Sequence, residues 1–278
     1  MPATNSPIGY NPSMALIMAK AVSAAYKKYQ NPNWTLTFGK FQIFPNYIYV
    51  YEITEYVFFG FAAYGSYDGN PPYYNIVALR GTQTKEEGYY DVDDWDFTDC
   101  VLPYNTGNPY GKVSADIYDF YTGNDGGFVT SLADSFKQAV STLDGSKGTW
   151  YLGAHSLGGA VAAIGSLDAV VSGSFNYTGA VPQVYTYGGL NSGDTDFANA
   201  IYANGIVDFY RVVNLADWVP SFTGMTEDTP GYQQPGQEYS FLWNTGQDWG
   251  NHSLDNIYIP TLDKFPKVIK WGIRDYPQ

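Results

Sequence analysis

The run Thr149-Trp150-Tyr151-Leu152-Gly153-Ala154-His155-Ser156-Leu157-Gly158-Gly159-Ala160 sets one serine among small residues, between an apolar stretch and a helix-forming one. A strand that turns sharply into a helix holds such a serine hydroxyl in the open, and so crowded a turn needs small flanks, here Ala154 and Gly158. This is the nucleophile elbow of covalent catalysis by serine, although the pattern more often has glycine where Ala154 stands. A serine hydroxyl is a poor nucleophile near neutral pH and needs a general base within reach and an acid that orients the base. The chain offers only two imidazoles, His155 and His252. Neighbouring side chains on a tight turn diverge, so His155 reads as a packing or turn-stabilising residue. His252, in the polar late-loop sequence Asn251-His252-Ser253-Leu254-Asp255-Asn256, is then the base.

The acids between Ser156 and His252 include Asp194, Asp196, Asp208, Asp217, Asp228 and Asp248. Asp217 stands out because it lies just past the apolar Tyr210-Arg211-Val212-Val213-Asn214 and just before the turn Trp218-Val219-Pro220. A carboxylate there can be partly buried and stay ionised by accepting hydrogen bonds. Asp208 falls at the opposite end of the same strand. An oxyanion formed at Ser156 needs donors: the N–H of Leu157, directly after the nucleophile, and Thr82, which offers an N–H and a hydroxyl at an earlier strand end. Arg80 reads as a brace for that loop.

The elements that must position these groups follow from the hydrophobic pattern. Met14 to Tyr29 carries helical spacing after the start signal Asn11-Pro12-Ser13. Trp34–Phe38, Tyr47–Tyr51 and Tyr56–Ala63, rich in aromatic and β-branched residues, predict an antiparallel meander. Asn75–Leu79 predicts a buried strand, and Asp116–Tyr121 and Phe128–Leu143 predict helices. Strand Trp150–Ala154, helix Leu157–Val171, strand Gln183–Tyr187, helix Asp194–Ala203 and strand Val207–Asn214 then alternate. Alternation of this length means parallel βαβ units, whose ligands sit beyond the carboxyl ends of the strands. Thr82, Ser156 and Asp217 each follow such an end. From Trp218 onward little periodicity is seen, and that segment is expected to wrap the surface. Without repeats or a long linker, residues 1–278 read as a single domain.

Composition narrows the chemistry. At 278 residues the chain can bury a large core. Its formal charge of −13 and pI near 4.3 argue against nucleic acid and anionic membrane surfaces as partners. No apolar run is long enough for a transmembrane helix. Met1-Pro2-Ala3-Thr4-Asn5-Ser6 has no basic region followed by an apolar core, so no signal peptide is read; the chain is cytoplasmic as given or secreted with its leader removed. Cys100, the sole cysteine, permits no internal disulfide and lies among Asp96, Phe97, Thr98 and Asp99, where carboxylates raise a thiol pKa. It reads as packed rather than nucleophilic. Two histidines are too few for multi-imidazole zinc chemistry. Asp91, Asp93, Asp94 and Asp96 cluster hard oxygens, but no EF-hand glycine and glutamate follow, so neither a metal nor a cofactor is expected.

Leu79-Arg80-Gly81-Thr82, Ala154-His155-Ser156-Leu157-Gly158-Gly159-Ala160, Arg211-Val212-Val213-Asn214 with Asp217-Trp218-Val219-Pro220, and His252 occur in the order seen in class 3 (fungal-type) lipases, which this chain resembles from roughly Met14 to His252. The resemblance implies an α/β-hydrolase fold: a central, mostly parallel sheet flanked by helices, with antiparallel N-terminal strands. It also implies carboxylic-ester hydrolysis through an acyl-enzyme without a cofactor. Carried over residue by residue, Ser156 is nucleophile, His252 base, Asp217 orienting acid, and Thr82 with Leu157 the oxyanion hole. The sequence departs from the family at Ala154, at Leu190-Asn191 where a Pro-Arg pair is common, and at Ser114-Ala115-Asp116-Ile117 where His-x-Gly-Phe is common. The three disulfides of secreted fungal members cannot form.

In that family the segment after the oxyanion threonine is a lid over the site, here residues 83–103. It mixes Tyr89, Tyr90, Val92, Trp95 and Phe97 with Glu86, Glu87, Asp91, Asp93, Asp94, Asp96 and Asp99. Its carboxylates favour neutral acyl esters over anionic phospholipids. The expected substrate is an acyl-ester lipid met at a lipid–water interface, with triacylglycerol lipase as the first reading. A short-chain or feruloyl-type esterase is the alternative, and a catalytically inactive binding module of the same fold the next.

Overall fold

A computed structural model describes residues 9–52, 55–84, 97–102, 109–123, 131–176, 180–221 and 231–265. Helix α1 (Pro12–Gln30) starts where the Asn11 side chain accepts from the Met14 N–H and Pro12 presets the first turn. Met14, Ala15, Met18, Ala19, Val22 and Ala25 form its buried stripe.

Strands β1 (Gln42–Ile43), β2 (Ile48–Glu52) and β3 (Glu55–Gly65) are antiparallel, with β1 and β2 both paired to β3. Strand β4 (Tyr74–Leu79) pairs antiparallel with β3 and parallel with β7 (Thr149–His155). Strands β8 (Gln183–Tyr187), β9 (Phe209–Asn214) and β10 (Gln237–Phe241) extend the sheet in parallel, giving the order β1-β3-β4-β7-β8-β9-β10. Strands β5 (Phe97–Asp99) and β6 (Lys112–Ser114) form a separate antiparallel pair.

The sheet divides the core, as the period of two in its strands requires. Trp150, Leu152 and Ala154 of β7 pack with α2 (Ala115–Thr122), α3 (Leu132–Ser141) and α4 (Leu157–Val171). Tyr151 of β7, Tyr185 and Tyr187 of β8, and Tyr210 and Val212 of β9 face α1 and the C-terminal segment Leu254–Leu262. At Gly153 the approach of α1 is close enough that a Cβ would lie 3.0 Å from Met18 Cε. Among the described residues no helix is long and apolar enough to cross a membrane.

Two expectations need correction. Trp34–Phe38 is not a strand. Its Leu36 and Phe38 are buried in the α1-side cluster, and Phe38 stacks on Phe41, so the apolar signal marked side-chain burial rather than backbone pairing. The tail is also more regular than expected. It supplies β10, then α6 (Asp248–Asn251), a π-helical turn Leu254–Tyr258, and α7 (Ile259–Lys264), after α5 (Thr195–Ala203) earlier in the chain. The beginning of the expected helix Phe128–Leu143 lies outside the described residues; its described part is α3.

Candidate active site

Ser156 occupies the turn between β7 and α4 with φ +58° and ψ −131°. A non-glycine residue there is strained by about 1–3 kcal/mol and persists only where its surroundings over-determine it. Here the Ser156 N–H donates to the Tyr187 carbonyl, and the Ser156 carbonyl accepts from Gly159 and Leu190. The crowding falls on the second flank: a Cβ at Gly158 would sit 2.3 Å from the Arg80 carbonyl oxygen. Ala154 is buried in the core on the α4 side, which explains why a methyl is accommodated at the first flank.

His252 caps the C-terminus of α6 and is 8 % exposed, so the expected polar loop is in fact a packed helix end. Its Nε2 lies 2.8 Å from Ser156 Oγ and its Nδ1 2.7 Å from Asp217 Oδ2. A carboxylate only accepts, so Nδ1 carries the hydrogen; Nε2 of the neutral ring is then the acceptor facing the hydroxyl. Asp217 follows β9 and is itself held: Oδ1 accepts from the Val219 N–H at 3.0 Å, and Oδ2 accepts from the Tyr258 hydroxyl at 2.6 Å. Tyr258 closes the π-helical turn, a local widening frequent at functional sites. Burial first, then the Asp217 charge, pushes its hydroxyl pKa well above the ordinary value, so it stays a donor.

The end of β4 lies on the other side of the serine. Gly81 is so close that a Cβ there would be 2.5 Å from Ser156 Cβ, which brings the loop that carries Thr82 beside Ser156. Arg80, fully buried, donates from Nε to the Phe58 carbonyl and from Nη1 to the Gly81 carbonyl, both at 2.7 Å, and lies over the Tyr29 ring. It braces the loop, as expected. Leu157 opens α4, where first-turn N–H groups have no partner within the helix.

The structure therefore brings Ser156, His252, Asp217, Thr82 and Leu157 to one edge of the sheet. Sequence reasoning missed Gly188, Tyr26 and Tyr258. Gly188 has φ +54°, and a Cβ there would meet Tyr258 Oη at 2.7 Å, Asp217 Oδ2 at 2.8 Å and His252 Cε1 at 3.1 Å. The Gly188-Gly189 pair at a strand end was a usable signal of close approach; the two tyrosines had none. Asn214 was noted only as part of a motif. Its buried amide accepts from the Trp243 N–H and donates to the Trp243 and Asn251 carbonyls, tying β9 to the segment before His252.

Cys100 is buried, and its thiol is pushed up to about 12, mainly by burial, with Asp168 and Asp194 adding to the effect. Among the described residues no group of three His, Cys, Asp or Glu could hold a metal ion; Asp91, Asp93, Asp94 and Asp96 lie outside them. Most of the expected lid, residues 85–96 and 103, also lies outside. Its described end, β5, is anchored to β6.

The sheet order and the serine turn define an α/β-hydrolase fold. The chain belongs to the class 3 lipase family, whose profile matches residues 76–227. Solved structures agree in fold. A triacylglycerol lipase from Penicillium expansum is 18 % identical with a TM-score of 0.62, over 83 % of this chain and 79 % of that one. A lipase from Rhizopus microsporus var. chinensis is 20 % identical with a TM-score of 0.58, over 88 % and 82 %. The LIP2 lipase of Yarrowia lipolytica is 16 % identical with a TM-score of 0.59, over 83 % and 79 %. No curated protein sequence matched the chain. The family match ends before His252 and Tyr258, so their place in the site rests on geometry.

Proposed function

We propose that this lipase-family protein hydrolyses carboxylic esters of fatty acids, triacylglycerols first among them, through Ser156, His252 and Asp217. The observation that carries the reading is the unbroken contact from Ser156 Oγ through both ring nitrogens of His252 to the Asp217 carboxylate. Ser156 Oγ bonds to the ester carbonyl carbon while His252 Nε2 takes its proton. Asp217 holds the imidazolium in place, and the N–H groups of Thr82 and Leu157 meet the oxyanion. The carbon–alkoxide bond then breaks, the alkoxide leaves with the proton from Nε2, and water repeats the sequence on the acyl-serine. No cofactor enters any step. The reading treats residues 1–278 as a single domain with residues 83–103 as a lid, and the net charge of −13 supports neutral esters over anionic phospholipids.

Purified protein treated with a phosphonate ester and mapped by peptide mass is expected to carry the adduct on Ser156, and Ser156→Ala to abolish both adduct and hydrolysis. Hydrolysis that survives Ser156→Ala overturns the mechanism. Rates on p-nitrophenyl esters of increasing chain length and on emulsified triolein test the substrate class. Activity confined to acetate and butyrate would leave a short-chain esterase, and an unmutated protein inert to every ester would leave a binding module.

A further inference from the structure

His155 is a buried imidazole that the mechanism above does not use. Its Nε2 lies 2.9 Å from the His252 backbone carbonyl oxygen. A carbonyl can only accept, so Nε2 carries a hydrogen. Its Nδ1 lies 2.7 Å from the Tyr26 hydroxyl, and that hydroxyl oxygen lies 2.7 Å from the Gly81 N–H. The Gly81 N–H must donate to the Tyr26 oxygen, and Nδ1 of a neutral ring that carries its hydrogen on Nε2 can only accept, so the Tyr26 hydroxyl donates to it. Burial above all, then the neighbouring His252 ring, pushes the His155 pKa well below the ordinary histidine value, in agreement with that neutral state. The polarity then runs one way: Gly81 N–H to Tyr26, Tyr26 O–H to His155 Nδ1, and His155 Nε2–H to the His252 carbonyl.

The two ends of this chain matter. Gly81 adjoins Thr82 on the loop after β4, and His252 belongs to the segment between α6 and the π-helical turn. These are the two loops on either side of Ser156, and His155 is the residue before it. The His155 ring also lies 4.5 Å, centroid to centroid, from that of His252, and edge-on to the Tyr258 ring at 6.0 Å. A Cβ on Gly81 would strike the Tyr26 hydroxyl at 2.6 Å and the His155 carbonyl oxygen at 2.7 Å, so the connection closes only around a glycine.

We propose that His155 is a positioning residue: a neutral imidazole, fixed as the Nε2–H tautomer by Tyr26, that holds the His252 backbone and the Gly81–Thr82 loop at a set separation across Ser156. This rests on the reading that Ser156 and His252 carry the chemistry. It gives the histidine before the nucleophile a role at the level of backbone placement, with no proton transfer to or from substrate.

With two histidines in the chain, nitrogen-15 spectra of the imidazoles can separate them. His155 is expected to show a protonated Nε2, an unprotonated Nδ1, and no change between pH 6 and pH 8. Tyr26→Phe keeps the ring and removes the hydroxyl. It is expected to free the His155 tautomer, to lower kcat on p-nitrophenyl butyrate about tenfold with KM within twofold, and to slow phosphonate labelling of Ser156 by the same factor. His155→Gln, whose amide can still donate to the His252 carbonyl, is expected to retain more kcat than His155→Leu. Unmutated protein that gains no adduct at Ser156 overturns the catalytic reading and this inference with it. Unmutated protein that labels normally, with Tyr26→Phe labelling just as fast, overturns the inference alone. A His155 spectrum with Nδ1 protonated, or equal kcat for the glutamine and leucine variants, does so too.

Discussion

Gly188→Ala tests the geometry of the proposed acid–base pair without replacing either of its side chains. The added methyl carbon would lie 2.7 Å from Tyr258 Oη, 2.8 Å from Asp217 Oδ2 and 3.1 Å from His252 Cε1. Relieving those contacts requires the three groups to retreat by about half an ångström or more. Asp217 Oδ2 cannot retreat without lengthening its 2.7 Å contact to His252 Nδ1, and His252 cannot do so without moving from Ser156 Oγ at 2.8 Å. Catalytic groups must be held within about 0.5 Å, and a 1 Å error costs on the order of a hundredfold, so kcat/KM should fall about 10- to 100-fold. The positive φ of 54° adds strain that alanine feels and glycine does not, worth about 1–2 kcal/mol and a Tm loss of a few degrees. Gly173→Ala separates the two effects, because Gly173 has φ +68° and open space where its Cβ would go. That variant should lose similar stability and keep its activity. The assay is initial rates on p-nitrophenyl butyrate beside thermal unfolding of both variants. Gly188→Ala with at least a third of the parental kcat/KM would refute the reasoning.

Three further outcomes are expected. Tyr258→Phe removes one hydrogen bond to the Asp217 carboxylate and should lower kcat/KM about 5- to 20-fold in steady-state assays; parental kinetics would show that Asp217 needs no such support. Because the folded-state pKa of His155 lies well below its unfolded value, both states hold it neutral above about pH 6.5 and its stability contribution is constant there; as pH falls lower, the unfolded chain binds a proton that the folded chain refuses, and stability drops by up to about 1.4 kcal/mol per pH unit. Urea unfolding at pH 7.0 and pH 5.5 should show this loss in the unmutated protein and less of it in His155→Gln; equal losses would mean His155 is not the group responsible. The buried thiol of Cys100, pushed up to about 12, should resist iodoacetamide at pH 8 in the folded protein and react after denaturation, as mass measurement would show; rapid labelling of the folded chain contradicts its burial.

The parts of the site that sit at strand ends were legible because local sequence carries their constraint. The small residues around Ser156, the apolar run before Thr82 and the one before Asp217 each announce a strand and what must follow it. Adjacency predicts that the His155 ring diverges from the Ser156 hydroxyl, and the ring does face Tyr26 and the His252 carbonyl, although adjacency could not tell that it would bridge two loops. Gln237–Phe241 escaped because an edge strand, exposed or half-exposed except at Ser240, lacks the continuous apolar run of a central parallel strand. Trp34–Phe38 misled for the opposite reason: its side chains are buried, but its backbone pairs with no strand. Tyr26 and Tyr258 were invisible in sequence. Nothing local marks a tyrosine whose partner lies 129 or 41 residues away.

Helix α1 contributes Tyr26, while the π-helical turn contributes Tyr258, and the site closes only when both meet the residues around Ser156. That ordering has a consequence during translation. At roughly 5–20 residues per second, the ribosome takes about 10–50 s to travel from codon 26 to codon 258. Only from codon 156 onward does the emerging chain carry Ser156, and until codon 252 it does so without His252. On the proposed mechanism a nascent chain cannot attack esters before the stretch carrying His252 and Tyr258 has cleared the exit tunnel and docked, so the order of synthesis would withhold activity until the fold is assembled.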